Sequence, residues 1–271
     1  MLTDVQRLAE EAMNLSAVLD ELYMAWWIRA RETSSTSSRV TAVVESFESE
    51  VWGLLDAQPT EYVTVIRDSE VAVIQPGEWL ERDAGSVEVR RRCTWMTEHF
   101  LWRNSQRLMP LMARRWRARL YVPATAEATA DFMRIAAAFD EVGVWFQAKT
   151  NAAAVQRTDQ SVFWVEASDA LRAAGLASDA LAGASFLETP PPLTLRIGNI
   201  GLAHDPGGGD SLGQRICGAL VGARDAGEVW NDVHWESACE RFDLTPGRPW
   251  RHPGPVDPYG LWADAEAAAV P

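Results

Sequence analysis

The chain has 271 residues, of which 47% are hydrophobic and 23% charged, a balance typical of a globular protein with one large or two small domains. Its formal net charge of −13 argues against broad nucleic-acid binding, and no apolar run reaches the roughly 18–20 residues that a membrane span needs. The acidic, amphipathic start of the chain lacks an apolar secretory segment, so we expect a cytoplasmic protein that binds neither membrane nor nucleic acid.

The first part of the chain shows helical spacing of its leucines, followed by apolar runs too short for long helices. The predicted elements are a helix over 3–31, a polar loop over 31–40, a helix over 40–56, strands over 62–68 and 70–77 with a turn at Pro76–Gly77, and a mostly helical stretch over 94–117. We therefore expect a largely helical N-terminal lobe, with a domain over residues 1–112.

The second part mixes helical and alternating patterns. Its predicted elements are strands over 117–124, 143–150 and 160–167, helices over 125–143 and 168–177, an extended segment over 190–210, and helices over 211–226 and 228–244. Short hairpin-like strands between helices favour the α+β class, with a mixed or antiparallel sheet and flanking helices. We place this second domain at residues 113–271.

Cysteine and histidine are sparse and scattered. The three cysteines form no CxxC pair and the four histidines no HExxH-like pair, which argues against a disulfide framework and a structural zinc site. We expect buried thiols at Cys93, Cys217 and Cys239. A metal site assembled from distant residues is the alternative.

A basic stretch runs from Arg90 to Arg119. It contains nine arginines and one acid, so it carries +8 while the rest of the chain carries −21. A local basic patch on an acidic protein indicates either a discrete anionic ligand or arginines paired with acids elsewhere. The sequence leaves both interpretations open.

Lys149 is the only lysine among 25 cationic residues. It ends an apolar strand in which Trp145, Gln147 and Lys149 alternate with Val144, Phe146 and Ala148. Burial lowers the pKa of an amine and lets it act as a general base, whereas a guanidinium keeps its proton up to a pKa of about 12 or more. The alternative is that an arginine-rich coding bias left one lysine by chance.

Four arginines flank predicted strand ends: Arg119, Arg157, Arg196 and Arg215. Arginine binds phosphate or carboxylate in bidentate fashion, so these residues are candidates for an anion pocket. Surface ion pairs are the alternative for each.

The glycine-rich run "DPGGGDSLGQR" lacks both the GK[ST] of a P-loop and the GxGxxG of a dinucleotide site. It is either an anion cradle ahead of a helix or a flexible turn. His204 precedes it and is either a proton donor or a structural histidine. Trp26, Trp27, Trp95 and Trp102 are core residues or the lining of a peptide groove.

Four short motifs, in order, resemble the HopA-type effector family. They are the "RLY" of Arg119–Tyr121, the "FQAK" ending at Lys149, the "RTDQSVFW" from Arg157, and "AHDP" followed by "SLGQR" ending at Arg215. They fall within residues 115–225. That family is similar to phosphothreonine lyases of the SpvC and OspF type. The resemblance implies that Lys149 abstracts the Cα proton, that Arg119, Arg157 and Arg215 hold phosphate, and that Tyr121 donates a proton or hydrogen bond.

The same resemblance implies a place in the biosynthesis of ribosomally made, modified peptides, including class V lanthipeptides and thioviridamide-type compounds. The implied partners are a phosphorylated precursor peptide, the phosphotransferase-like kinase that phosphorylates it, and a cyclase, with no cofactor. The N-terminal lobe would recognise the leader peptide or dock the kinase.

Three positions depart from the family pattern. Phe163 or Trp164 stands where a tyrosine is usual, His204 replaces an acid, and Leu212 replaces a phenylalanine. The general acid therefore stays open among Tyr121, His204 and His99.

Two other functions fit the same residues. One is a non-catalytic module that binds a phosphopeptide or leader peptide and scaffolds a kinase. The other is an effector-like protein that acts on host partners, which the absence of a long Ser-rich N-terminal segment disfavours.

Overall fold

The computed structural model describes residues 2–16, 18–32, 46–57, 63–68, 70–74, 78–83, 85–114, 116–152, 155–207, 211–225 and 231–251. The predicted turn at Pro76–Gly77, most of the predicted polar loop and the glycines at 208 and 209 lie outside these residues.

Six α-helices lie in the described part of the chain. They are α1 (Leu2–Met13), α2 (Leu19–Leu22), α3 (Ala128–Glu141), α4 (Ala170–Ala180), α5 (Leu212–Asp225) and α6 (Asp232–Arg241). A π-helical turn, Tyr23–Ile28, continues α2, and short 3₁₀ turns cover Leu111–Arg114 and Ala167–Asp169. The single helix predicted over 3–31 is broken, because the Ser16 hydroxyl accepts a hydrogen bond from the Val18 amide (3.0 Å) and competes with the helical bond.

Fourteen strands lie in the described residues. They are β1 (Arg31–Glu32), β2 (Ser46–Ala57), β3 (Val63–Arg67), β4 (Glu70–Ile74), β5 (Trp79–Asp83), β6 (Ser86–Met96), β7 (Phe100–Asn104), β8 (Met109–Pro110), β9 (Arg117–Val122), β10 (Phe146–Asn151), β11 (Val155–Gln156), β12 (Ser161–Glu166), β13 (Leu195–Ile197) and β14 (Ile200–His204). Twelve of them form one antiparallel sheet in the order β13-β14-β9-β12-β10-β7-β6-β2-β3-β4-β8, with β5 paired to β6. The predicted α+β class with an antiparallel sheet is confirmed.

The helix predicted over 40–56 is wrong where the structure describes it, because residues 46–57 form strand β2. Phe47 and Val51, whose spacing of four suggested a helix face, also share one side of a strand, since four is an even number. In the strand they are exposed, whereas Trp52 on the other side is 3% exposed.

The helical stretch predicted over 94–117 is also wrong. Its described residues form the end of β6, strands β7 and β8 and one short 3₁₀ turn, Leu111–Arg114. Trp95 lies opposite Trp102 with stacked rings 5.7 Å apart. Cross-strand aromatic pairs of this kind stabilise a sheet.

The N-terminal part is thus not the largely helical lobe that was expected. Strand β7 pairs with β10, so one sheet spans the predicted boundary after residue 112. The two-domain division stays a prediction.

Helices α3 and α4 cover one face of the central strands. Phe132 and Phe139 of α3 contact Phe163 of β12 at ring-centroid distances of 5.2 and 5.4 Å, and Phe139 also contacts Phe146 of β10. Helix α5 packs against α1 and against the π-helical turn. Trp27 of that turn contacts Tyr121 of β9, which places this second helical layer on the other face of the sheet.

Candidate active site

Three neighbouring strands, β9, β10 and β12, carry the side chains of the candidate site. Val162 of β12 lies opposite both Lys149 and Tyr121, and Trp164 lies opposite Arg119. Directly opposite residues of antiparallel strands point to the same face of the sheet. Lys149, Tyr121, Arg119 and Trp164 therefore share one face, and it is the face that α3 and α4 leave uncovered.

This face borders a cleft with a cavity volume of about 80 Å³. Its walls on the sheet side include Arg119, Tyr121, Lys149, Arg157, Asp159 and Trp164. Tyr23, Trp27 and Ser211 line it from the helical layer. The structure thus brings together four residues that the sequence singled out: Lys149, Tyr121, Arg119 and Arg157.

Lys149 is partly buried among aromatic rings. Its Nζ lies 4.4 Å from the centroid of Phe100, 5.5 Å from that of Trp102 and 5.8 Å from that of Trp164. Burial lowers the pKa of Lys149 below its ordinary value; the charge of Asp159 opposes this, whereas those of Arg157 and Arg119 add to it. The amine therefore gives up its proton more readily than an exposed lysine.

Arg119 is buried and held by an acid. Its Nε donates to Oδ1 of Asp205 at 2.7 Å, and Nε of Arg117 lies 2.9 Å from Oδ2 of the same carboxylate. The guanidinium also lies over the Trp164 ring, 5.6 Å from its centroid. A buried charge needs such partners, so Asp205 fixes Arg119 at the cleft.

Arg157 and Asp159 form a bidentate ion pair. Nε of Arg157 donates to Oδ1 of Asp159 at 2.9 Å and Nη2 donates to Oδ2 at 3.3 Å. Burial raises the pKa of Asp159, against the opposite effect of Arg157 and Lys149. Sequence reasoning assigned no role to Asp159, although its spacing of two from Arg157 was the available signal.

Tyr121 is 3% exposed. Its hydroxyl forms a hydrogen bond of good geometry with none of the described residues, although the Arg119 guanidinium is near enough to act on it by charge and as a hydrogen-bond donor. Burial raises the pKa of Tyr121 above its ordinary value, so the phenol keeps its proton at neutral pH. Because a guanidinium only donates, the O–H of this buried phenol has no acceptor among the described residues and is suited to donate to a ligand.

Three other predicted site residues do not line the cleft. Arg196 is exposed on β13, and Nη1 of Arg215 in α5 lies 3.5 Å from Asp243. His204 pairs with Ala118, which alternates with Arg119, so its side chain lies on the opposite face of the sheet. His99, the remaining candidate acid, is 64% exposed beside Glu98. The roles predicted for these residues have no support from the geometry of the cleft.

Most arginines of the basic stretch are ion-paired. Among the described residues, six of its arginines have an acidic partner: Arg90, Arg91, Arg103, Arg107, Arg117 and Arg119. Arg119 is the member of this set that also borders the cleft. The interpretation as arginines paired with acids elsewhere is therefore the better description of the stretch.

Other features of the described residues bear on the class of site. The three cysteines are buried free thiols, as predicted. No group of three metal-ligating side chains occurs in the part of the chain that the structure describes. The helices described there are all too short or too polar to cross a bilayer.

The fold is similar to that of an effector protein from Pseudomonas syringae pv. syringae strain 61, with a TM-score of 0.51 and 12% identity over 92% of this chain and 96% of that chain. An effector protein from Pseudomonas syringae pv. tomato strain DC3000 has a TM-score of 0.43 and 13% identity over 92% of this chain and 82% of that chain. No family model and no curated protein matches the sequence. At such an identity the first similarity shows a shared fold.

Proposed function

We propose that this protein is a lyase that removes phosphate by β-elimination from a phosphoserine or phosphothreonine residue of a peptide and leaves a dehydroamino acid. Lys149 takes the proton from Cα, Arg119 and Arg157 hold the phosphate group, and Tyr121 donates a hydrogen bond to the leaving oxygen.

The electron balance of this reaction is simple. The electron pair of the Cα–H bond forms the second bond between Cα and Cβ. At the same time the Cβ–O bond breaks, and its electron pair leaves with the phosphate. The proton ends on Nζ of Lys149. A base at Cα, cations around the phosphate and a donor at the leaving oxygen are sufficient, so we expect no metal or other cofactor.

The observation that carries the proposal is the position of the single lysine, which borders one cleft together with two arginines. A phosphate monoester carries about −1.5 to −2 charges at pH 7, and guanidinium forks match its oxygens. Because a guanidinium has several N–H donors, the pairing of Arg119 with Asp205 and of Arg157 with Asp159 is compatible with phosphate binding.

The biosynthetic setting is part of the proposal. The substrate would be a precursor peptide that a phosphotransferase-like kinase has phosphorylated, and a cyclase would use the dehydroamino acid. This setting rests on the resemblance of the motifs.

The test uses synthetic phosphothreonine and phosphoserine peptides and follows their mass. Elimination removes phosphoric acid and creates an alkene that adds 2-mercaptoethanol, whereas hydrolysis restores the hydroxyl and gives no adduct. We expect the thiol adduct with the wild-type protein and none with Lys149→Ala. A wild-type protein that leaves every peptide intact, or that yields only the hydroxyl product, would refute the proposal.

A phosphopeptide-binding scaffold for a kinase is the second candidate, because both cleft arginines already have acidic partners, as in a preformed binding site. It predicts that phosphopeptides bind and leave with unchanged mass.

A further inference from the structure

The π-helical turn Tyr23–Ile28 forms part of the cleft wall, although it lies about 90 residues before the first of the four motifs. π-Helical turns are rare in proteins, and those that occur often lie at functional sites. Tyr23 and Trp27 of this turn line the cleft, and Trp27 is also fully buried, as is its neighbour Trp26. Tyr23 and Trp27 therefore border the same cleft as Lys149.

Two contacts fix Trp27 in this position. Its ring lies edge-on to that of Tyr121, with centroids 5.9 Å apart. On its other side the backbone of α5 comes so close that a Cβ at Gly213 would lie 2.5 Å from the indole. The absence of a side chain at Gly213 thus allows the turn and α5 to approach each other.

The turn is also tied to the segment that carries Arg157 and Asp159. The Thr158 amide donates to the carbonyl of Ile28 at 3.0 Å, and the Thr158 hydroxyl donates to the carbonyl of Trp27. Just beyond, β1 pairs with β11. A displacement of the turn would therefore move the Arg157–Asp159 pair.

The phenol of Tyr23 lies at the cleft wall. Its hydroxyl accepts a hydrogen bond from Oγ of Ser211 at 3.4 Å, and Ser211 also accepts the Gln214 amide at 3.0 Å at the start of α5. Burial and the charge of Asp159 raise the pKa of Tyr23 above its ordinary value. The phenol thus keeps a proton that it can donate to an anion.

We infer that Tyr23 donates a hydrogen bond to the phosphate group bound in the cleft, so that this side chain of the turn belongs to the binding site. The inference rests on the proposed function in one respect, because it takes the ligand to be a phosphate group. Tyr23 from the helical layer and Tyr121 from the sheet then supply two phenols, while the arginines and Lys149 supply the charge.

The experiment compares the wild type with Tyr23→Phe, which removes only the hydroxyl, and with Met24→Leu, an exposed neighbour. Inorganic phosphate is titrated and followed by tryptophan fluorescence, since Trp27 and Trp164 line the cleft. The steady-state constants on a phosphothreonine peptide are measured in parallel.

We expect Tyr23→Phe to weaken phosphate binding by about tenfold or more, as for a lost hydrogen bond to a charged group, and to raise KM to match. Met24→Leu should change neither. A phosphate affinity of Tyr23→Phe within about twofold of the wild type, on a folded protein, would overturn the inference.

If Tyr23→Phe is poorly folded, a pair of glycine variants tests whether the position of the turn affects phosphate binding. A Cβ at Gly213 crowds Trp27, whereas a Cβ at Gly218 of the same helix crowds the Phe242 ring equally, at 2.5 Å. We expect Gly213→Ala to weaken phosphate binding more than Gly218→Ala; equal effects would contradict the inference.

The outcomes also separate the two proposals. A wild type that binds phosphate through Tyr23 but eliminates none refutes the lyase function and leaves this inference standing. An active wild type with an indifferent Tyr23→Phe refutes this inference alone. A wild type that neither binds phosphate nor eliminates it from any peptide refutes both.

Discussion

The two faces of strands β9, β10 and β12 differ in how they are stabilised and in what they can do. On one face Phe146, Ala148 and Phe163 are fully buried and contact helix α3 or pack in the same core. On the other face Lys149 and Arg119 border a cleft. The same short strands thus supply a core on one side and a candidate site on the other.

The difference lies in the partners that each face requires. An apolar side chain is stabilised by removal of its surface from water, at about 25 cal/mol per Å². A buried guanidinium loses hydration and needs acids in return, which Arg119 and Arg157 find in Asp205 and Asp159. We therefore expect substitutions on the core face to change the free energy of unfolding and those on the cleft face to change activity.

Lys149→Arg should have the largest effect. It keeps the positive charge but replaces the amine with a guanidinium, which does not act as a base at neutral pH. We expect the elimination rate to fall by about 10²- to 10⁴-fold, the usual contribution of a general base. Phosphate release from a phosphothreonine peptide measures this, and a Lys149→Arg protein with wild-type kcat would exclude Lys149 as the base.

Phe163→Ala tests the core face of the same strand. Removal of a fully buried phenylalanine should lower the free energy of unfolding by about 3–5 kcal/mol. Urea unfolding measures the loss, and the activity per folded molecule should stay near that of the wild type. A change in kcat without a change in stability would show that the faces are not independent.

The charged neighbours of Lys149 should move the pH dependence in opposite directions. The base works without its proton, so kcat/KM rises as the pH increases through the pKa of Lys149. Asp159 raises that pKa and Arg157 lowers it. Asp159→Asn should therefore move the rising limb to lower pH, and Arg157→Gln should move it to higher pH.

The measurement is kcat/KM across the pH range in which the protein stays folded, with Phe163→Leu as the control on the other face. Shifts of both cleft variants in the same direction would argue that Lys149 is not the titrating group.

Trp164→Phe should have the smallest effect. Its ring lies within 6 Å of both the Arg119 guanidinium and Nζ of Lys149, and a phenyl ring keeps part of the cation–π interaction. We expect a two- to fivefold loss of kcat/KM, corresponding to about 0.5–1 kcal/mol. A loss above about a hundredfold would assign Trp164 a direct part in the chemistry.

Local patterns predicted the central strands well. The alternation around Lys149 and from Ser161 to Glu166 indicated strands with two different faces, and β10 and β12 have that form. The N-terminal part was less predictable, because the even spacing of Phe47 and Val51 fits both a helix and a strand. Only the pairing of β2 with β3 and β6 decides between them.

The sequence by itself determined that one amine stands among arginines, on the polar side of an apolar strand, and near Arg119 and Arg157 in a series of short motifs. It also showed that His204 precedes Asp205, but it did not determine on which face of the sheet each side chain would lie. A shift of one residue in register reverses the face of every side chain, so that assignment requires the pairing of β14 with β9.

Tertiary structure alone decided which residues meet. Tyr23 and Ser211 are 188 positions apart, and Trp27 reaches Tyr121 and Gly213 only because two helical segments pack on one face of the sheet. Such contacts depend on close packing and on hydrogen bonds between distant segments, which no local spacing encodes. The lysine could be singled out from the sequence, whereas the N-terminal wall of its cleft could be recognised only in the fold.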